Sequence, residues 1–207
     1  MKKKEAARRP PSLGSLRAAA RDCRACPLWR SATQTVFGEG PAKARIVLVG
    51  EEPGDREDIV GRPFVGPAGQ LLRRALVEAG LDPAALYLTN VVKHFKFEMR
   101  GKRRLHKRAN AEEQAACLQW LQAELDRIRP AIVVCLGATA AKALLGRSFL
   151  VARQRGRWLP FGADRFAIAT LHPSALLRLR DSERERGYRQ FVRDLRKIGV
   201  GPDKSTP

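Results

Sequence analysis

The sequence predicts a single α/β domain of three layers, in which helices cover both faces of a central, mostly parallel, four-stranded sheet. Four short runs are continuously apolar, as expected of strands buried on both faces; they lie at 45–50, 86–92, 131–137 and 166–171. Stretches with apolar residues at helical spacing alternate with these runs. This alternation is typical of parallel sheets whose strands are joined by helices.

The segments between and after the strands have helical periodicity and clear ends. Apolar stripes predict helices within 71–79, 118–128, 138–145 and 188–198. Gly80 follows the first of them as a C-cap, and Pro130 stops the second. The last stripe carries basic residues on its other face.

Size and charge limit the classes of function. The chain has 207 residues, which suit one domain with its own core, and a formal net charge of +19. Such a charge predicts a polyanionic partner, with nucleic acid ahead of a membrane surface. We expect a flexible basic tail over 1–14, the domain over 15–199 and a C-terminal tail over 200–207.

The chain offers no segment for membrane insertion or export. No apolar run approaches the 18 or so residues of a membrane-spanning helix. The basic start, Met1–Lys4, is not followed by an apolar segment of the kind found in secretory signals. We therefore expect a cytoplasmic protein, and a monomer.

Four cysteines are present, two of them in the C-x2-C pair of Cys23 and Cys26. Disulfides are rare in the cytosol, so a shared four-sulfur site for zinc or a 4Fe–4S cluster is one interpretation. In the other, Cys117 and Cys135 are ordinary buried apolar residues. Spacing does not decide between zinc and iron–sulfur.

The most basic segment is 100–108, in which six of nine residues are Lys or Arg. Its composition predicts binding to a phosphate backbone. His106 stands among these cations, and two roles are open to it. The imidazole could donate one more hydrogen bond, or it could act at a reaction centre as acid, base or nucleophile.

Polar residues follow three of the predicted strands, and ligands bind beyond the carboxyl ends of such sheets. The first strand leads into an acidic cluster formed by Glu51, Glu52, Asp55, Glu57 and Asp58. Carboxylates there suit the cleavage of a glycosidic bond through an oxocarbenium-like transition state. Magnesium binding and a purely structural role are the alternatives.

Four further residues could act on a ligand or have a purely structural role. The amide of Asn90 could read the edge of a base or simply close a turn. Phe64, in a Gly/Pro-rich segment, could stack on a flat ring or plug the core. His172 and Ser174 follow the last strand; taken alone, they suit a strand end with one hydrogen bond and a helix cap.

Together these motifs resemble the uracil-DNA glycosylase superfamily, specifically its iron–sulfur family-four enzymes and their UdgX-like relatives. The resemblance runs from Cys23 to about residue 195. It is carried by the cysteine pattern and by the segments 50–54 (GEEPG), 66–69 (GPAG), 89–95 (TNVVKHF) and 172–174 (HPS). The inserted KRRLH of 102–106 points to the UdgX-like branch, although Glu52 and Leu105 stand where that branch has Gln and Ile.

The resemblance implies a DNA-repair enzyme that flips uracil out of single- or double-stranded DNA and releases it as free uracil. It implies catalytic roles for Glu51, His106 and His172, with His106 bonding to C1′ of the deoxyribose and remaining attached. The implied substrate-binding residues are Glu52, Gly54, Asp55, Phe64, Asn90, Arg104 and Ser174. A structural 4Fe–4S cluster is implied on Cys23, Cys26, Cys117 and Cys135.

Two other functions remain open at this level. In a conventional multiple-turnover family-four glycosylase, His106 would only touch phosphate. A non-catalytic, zinc-stabilised nucleic-acid-binding protein would use the same cysteines and cations. A zinc deaminase is disfavoured, because the sequence has no H-x-E motif with a nearby P-C-x-x-C.

Overall fold

The computed structural model describes residues 11–202. Strands in this part of the chain are β1 (Ile46–Gly50), β2 (Tyr87–Asn90), β3 (Phe97–Arg100), β4 (Arg103–His106), β5 (Ile132–Leu136), β6 (Trp158–Pro160) and β7 (Phe166–Thr170). Its α-helices are α1 (Leu13–Arg21), α2 (Asp55–Val60), α3 (Pro67–Glu78), α4 (Ala111–Ile128), α5 (Gly137–Leu145), α6 (Val151–Gln154), α7 (Pro173–Leu177) and α8 (Asp181–Val200). Two short 3-10 helices lie at Pro27–Arg30 and Pro83–Ala85.

The main sheet has the strand order β2-β1-β5-β7-β6. Neighbouring strands β2, β1, β5 and β7 are parallel and coincide with the four apolar runs, which confirms the mostly parallel sheet. The predicted count of four strands is wrong, because β6 adds a fifth, antiparallel strand at the edge. That strand is three residues long and ends in Pro160, so no apolar run marks it in the sequence.

Helices cover both faces of this sheet. Val47 and Val49 of β1 belong to a buried cluster with side chains of α4 and α5. Leu48, which points the other way, belongs to a second buried cluster with α3 and α8. Because successive strand residues alternate between the two clusters, the three-layer arrangement predicted from the sequence is confirmed.

The basic segment folds as an antiparallel hairpin of β3 and β4 rather than as an open loop. The hairpin turns at Gly101, whose φ of 59° favours glycine. Arg100 pairs with Arg103 at the tip, while Phe97 pairs with His106 at the base. The register therefore places the histidine next to the body of the domain and a pair of arginines away from it.

The strand ends that precede the polar motifs meet at one edge of the sheet. Gly50, the last residue of β1, lies beside Asn90 at the end of β2, and Leu136 of β5 lies beside Thr170 of β7. The segments that begin after these residues are consequently neighbours, as expected at the ligand-binding edge of a parallel sheet.

The ends of the chain fall partly outside this description. Residues 1–10 and 203–207, which make up most of the two predicted tails, lie outside the described residues. Of the helices within 11–202, none is long and apolar enough to cross a membrane.

Candidate active site

An open cavity of about 690 Å³ lies at the carboxyl edge of the sheet. All three predicted catalytic residues line it, namely Glu51, His106 and His172. Most of the predicted substrate-binding residues line it as well: Glu52, Gly54, Phe64, Asn90 and Ser174. Residues far apart in the sequence thus converge on one cavity, whereas Asp55 and Arg104 do not reach it.

Asn90 and Phe64 approach each other over the backbone of Gly50. Both side chains are buried, with 3 % and 5 % of their surface exposed. A Cβ atom added to Gly50 would lie 2.3 Å from Oδ1 of Asn90 and 2.7 Å from Cζ of Phe64. Only glycine therefore allows the amide and the ring to share this side of the cavity.

The backbone of Phe64 is strained. Its φ of 56° lies in the left-handed region, which bulky residues rarely adopt. The carbonyl oxygen of Phe64 lies so close to Gly69 that a Cβ there would be 1.9 Å away. Strain of this kind concentrates at functional sites, and Phe64 lines the cavity.

His172 is held as a neutral ring with its proton on Nε2. The backbone N–H of Ser174 donates to Nδ1 at 3.2 Å, so Nδ1 carries a lone pair rather than a proton. Burial lowers the pKa of His172 to about 4. At neutral pH, Nε2 is consequently the hydrogen-bond donor that His172 can offer to a ligand.

Ser174 is fixed from a second direction by a residue that the sequence analysis missed. The guanidinium of Arg178 donates to both the carbonyl oxygen and the hydroxyl of Ser174, each at 3.2 Å. Arg178 also lines the cavity. In a chain with 40 Lys and Arg residues, nothing in the sequence distinguished this one.

Glu51 is anchored through one carboxylate oxygen. Its Oε1 accepts hydrogen bonds from Nε of Arg108 at 2.6 Å and from the hydroxyl of Thr139 at 2.8 Å. Thr139 lies in the first turn of α5, directly after β5, and no sequence motif marked it. The two donors fix a carboxylate at the rim of the cavity, where it can face a developing positive charge.

Glu52, the residue after Glu51, has different neighbours and lies close to His106. The Glu52 side chain is fully buried, and its Oε2 accepts the backbone N–H of Ala109 at 2.8 Å. Oε1 lies 3.1 Å from Nε2 of His106, whose side chain is 47 % exposed. Burial raises the pKa of Glu52 to about 8, and burial also lowers the pKa of His106.

Arg104 attaches the hairpin to helix α2 instead of facing the cavity. Its Nε donates to Asp55 at 2.6 Å, and its Nη1 donates to Asp58 at 2.6 Å. The guanidinium also lies over the rings of Phe95 and Phe97. The structure therefore gives Arg104 and Asp55 a positioning role and does not place them against a base.

The acidic cluster is divided among several partners. Glu57 accepts the backbone N–H groups of Gly54 and Gly66, which ties together two glycine-containing loops. Asp58 is fully buried and, besides Arg104, accepts hydrogen bonds from Thr33. Because these carboxylates point to different partners, the arrangement does not support the magnesium alternative.

A buried ion pair supports the strand end that carries Asn90. The ammonium of Lys93 donates to the carbonyl oxygen of Asn90 at 2.8 Å and to Thr89 and Glu124 at 2.6 Å each. Both charged side chains are fully buried. The backbone N–H of Lys93 in turn donates to Sγ of Cys117 at 3.1 Å, so this network reaches the cysteines.

Three of the four cysteines lie in one region. Burial raises the pKa of Cys117 to about 11, and repulsion from Cys26 and Cys23 contributes to the increase. The indole N–H of Trp120 donates to Sγ of Cys23 at 3.1 Å. Hydrogen bonds from N–H groups to sulfur are a feature of iron–sulfur ligands.

Cys135 belongs to the same buried apolar cluster as Cys117, but no other thiol influences its pKa. It lies on the central strand β5 between Val49 and Ala169, with no exposed surface. Burial alone raises the pKa of Cys135 to about 12, without any contribution from another thiol. Its side chain is part of the core, as the structural interpretation of that cysteine predicted.

His94, the residue after Lys93, has one ring nitrogen that no group in the described part of the chain engages. The Thr35 hydroxyl donates to the carbonyl of Ala20 and so accepts from Nε2 of His94 at 2.9 Å. Nδ1 of His94 is then a buried lone pair without a hydrogen-bond partner among the described residues. Within 11–202, no three His, Cys, Asp or Glu side chains are already arranged as a metal site.

Comparison with known proteins identifies relatives over most of the chain. A family model described as the uracil DNA glycosylase superfamily matches residues 37–196. A Type-4 uracil-DNA glycosylase of Thermotoga maritima is 41 % identical over 165 residues, which cover 79 % of this chain and 82 % of that protein. A Type-4 enzyme of Archaeoglobus fulgidus is 37 % identical over 195 residues, covering 89 % and 90 % of the two chains.

Proposed function

Because the chain belongs to the uracil-DNA glycosylase superfamily, we propose that it excises uracil from DNA and that His106 then bonds to the sugar. The Type-4 relatives support the first step, uracil excision in DNA repair. The second step rests on one observation: the ring of His106 lines the same cavity as Glu51 and His172. Uracil-containing DNA is thus the substrate.

The cavity suits a flipped uracil base. In this account the ring of Phe64 stacks on the base, and the amide of Asn90 bonds to its polar edge with one donor and one acceptor. Nε2–H of His172 donates to O2 of uracil. Because the Nδ1 lone pair is already engaged by Ser174, the ring cannot rotate to offer its other nitrogen without losing that bond.

Excision breaks the bond between C1′ of the deoxyribose and N1 of uracil, and the electron pair leaves with the base. The hydrogen bond from His172 stabilises the negative charge that forms on uracil. The carboxylate of Glu51 stabilises the positive charge that forms on the sugar. Both groups are held in place by neighbours before the substrate arrives, which is what electrostatic stabilisation requires.

The final step joins a ring nitrogen of His106 to C1′. A neutral imidazole has a lone pair for this purpose, and burial keeps the pKa of His106 below its ordinary value. Holding the nucleophile beside the sugar gives it a large advantage in effective concentration over water. The product is an N-alkylated imidazolium, a poor leaving group, so a molecule that forms the adduct would react no further.

A 4Fe–4S cluster fits the three-cysteine region, with Cys23, Cys26 and Cys117 as thiolate ligands and Nδ1 of His94 as the fourth donor. When bound, the cluster would supply structural cross-linking rather than chemistry at the base. Its ligands come from the segment after α1, from α4 and from the segment after β2. It would thereby hold the Asn90 strand end against the N-terminal part of the domain.

The test compares substrate consumption with protein amount. Uracil-containing single-stranded DNA is added in tenfold excess, and released uracil and SDS-resistant protein–DNA species are both counted. At pH 9, where the His106 imidazole is neutral, we expect about one uracil per protein and an equal amount of adduct. His106→Ser should form no adduct. Many uracils per wild-type protein and no adduct would instead establish a conventional multiple-turnover glycosylase.

A further inference from the structure

The contact between Glu52 and His106 gives the histidine a partner inside the protein. Glu52 Oε1 lies 3.1 Å from Nε2 of His106, without the alignment of a hydrogen bond, and has no hydrogen-bond partner among the described residues. The second oxygen is fixed by the N–H of Ala109, three residues after His106 in the segment between β4 and α4. The carboxyl group is therefore held in place next to one ring nitrogen, where a small rotation of the imidazole would align a hydrogen bond.

We propose that Glu52 is a positioning residue that decides whether His106 or a water molecule forms the new bond to C1′ of the deoxyribose. This inference rests on the proposed function, since it concerns the fate of the same sugar cation. A carboxylate that accepts the proton of Nε2 leaves the lone pair on Nδ1, and Nδ1 is then the nucleophile. A protonated carboxyl group donates to Nε2 instead, and the ring must keep its own proton on Nδ1.

The two protonation states lead to different products. With Glu52 ionised, the Nδ1 lone pair forms a bond to C1′ while uracil leaves with the electrons of the glycosidic bond. The imidazolium keeps its Nε2 proton, and the carboxylate of Glu52 balances the new charge. With Glu52 protonated, no ring lone pair is free, so a water molecule attacks C1′ and an abasic site is released.

Charged groups on several elements face this pair. Around Glu52, the carboxylates of Glu51 and Glu113 oppose its ionisation and the ammonium of Lys96 favours it. Around His106, the positive charges of Arg108 and Arg178 oppose protonation, and the carboxylates of Glu51 and Glu57 favour it. Burial is the largest influence on both groups, so Glu52 holds its proton near neutrality while the histidine ring stays neutral.

The expected signature is a pH-dependent choice between adduct and free abasic DNA. For a carboxyl group with a pKa of about 8, the ionised fraction increases about tenfold from pH 7 to pH 9. The fraction of excised uracils that end as adduct should increase with it. In Glu52→Gln the fraction that ends as adduct should change less than about twofold over this range. The amide oxygen of Gln can accept a hydrogen bond from Nε2–H, and the amide does not titrate.

The experiment measures uracil release and SDS-resistant adduct in the same reactions at pH 7, 8 and 9. Wild type is compared with Glu52→Gln and with Glu112→Gln, which removes an exposed carboxylate from the first turn of α4. Glu112→Gln should keep the tenfold increase. If Glu52→Gln kept it as well, the role of Glu52 would be refuted while the proposed function stood.

A second measurement does not depend on any reaction with DNA. Nitrogen NMR of the free protein reports which ring nitrogen of His106 carries the proton, and the chain has only three histidines to assign. At pH 9 the proton should lie on Nε2 in wild type and be distributed over both nitrogens in Glu52→Ala. A proton on Nδ1 in wild type at pH 9 would overturn the inference, even if uracil excision and the adduct were both observed.

Discussion

Nζ of Lys93 lies 2.6 Å from Oε2 of Glu124, and neither side chain has any exposed surface. The other carboxylate oxygen of Glu124 accepts the hydroxyl of Tyr87 and the backbone N–H of Gly38, each at 2.9 Å. Because Nζ of Lys93 also donates to the carbonyl oxygen of Asn90, the ion pair connects helix α4 with the end of β2.

Removal of the lysine charge should destabilise the fold severely. In Lys93→Met, the buried carboxylate of Glu124 loses its counter-charge, so the free energy of unfolding should fall by about 3–5 kcal/mol. Urea unfolding monitored by circular dichroism measures the change. The control Arg62→Met, which breaks the exposed ion pair with Glu39, should cause no comparable loss. An unaltered unfolding midpoint in Lys93→Met would refute the importance of this pair.

A methyl group at position 50 should disable base binding. In Gly50→Ala the new Cβ would overlap the Asn90 amide and the Phe64 ring, so both must move away from the base. Displacement by about 1 Å can reduce a rate on the order of 100-fold, and we expect uracil release to fall by that order. Gly199→Ala, whose Cβ would make only an ordinary contact at 3.7 Å, should keep the wild-type rate. Equal rates in the two variants would contradict this geometry.

The sequence predicted the elements whose signals are local. Continuous apolar runs identified the four parallel strands, and the polar residues after them identified the cavity edge, because a parallel sheet brings such ends together. Strand β6 was missed, since three residues at an edge need no distinctive pattern. The hairpin was missed for a related reason. Its strands consist largely of charged residues and so have no apolar pattern, and only Gly101 marks the turn.

Interactions between segments that are distant along the chain could not be predicted from the sequence. Arg104 lies in a segment whose composition predicts phosphate binding, yet its guanidinium forms ion pairs with Asp55 and Asp58. Only the folded chain brings these three residues together. Spacing placed Cys135 with the other cysteines, but its strand carries it into the core. His94 did not stand out as a possible ligand, because only the folded chain shows that Nε2 bonds to Thr35 while Nδ1 has no partner among the described residues.

Iron content should separate Cys135 from the proposed ligands. In anaerobically purified protein, Cys135→Ala should keep wild-type iron and the absorption near 400 nm, because its side chain only fills the core. Cys117→Ala and His94→Ala should lose most of the iron. Loss of iron in Cys135→Ala, with iron retained in His94→Ala, would restore the four-cysteine set. Zinc without iron in the wild type would instead favour the zinc-stabilised alternative.

Neutralisation of Glu52 should stabilise the protein in a pH-dependent manner. Burial raises its pKa from 4.5 to about 8, so the folded protein binds this proton more tightly than the unfolded chain. The contribution of Glu52 to stability therefore decreases as the pH rises from 4.5 to 8. Thermal unfolding should show Glu52→Gln gaining on the order of 3 kcal/mol over wild type between pH 5 and pH 8. A gain that is equal at both pH values would show that the group does not titrate in this window.

The central claim is that His106 itself bonds to the sugar, and mass spectrometry of the His106 peptide tests it most directly. The protein is mixed with a short uracil-containing oligonucleotide, digested with protease and nuclease, and sequenced by fragmentation. At pH 9 we expect a deoxyribose phosphate on His106 in an amount about equal to the uracil released, and none in His106→Ser. An unmodified His106 peptide after complete uracil release would contradict it.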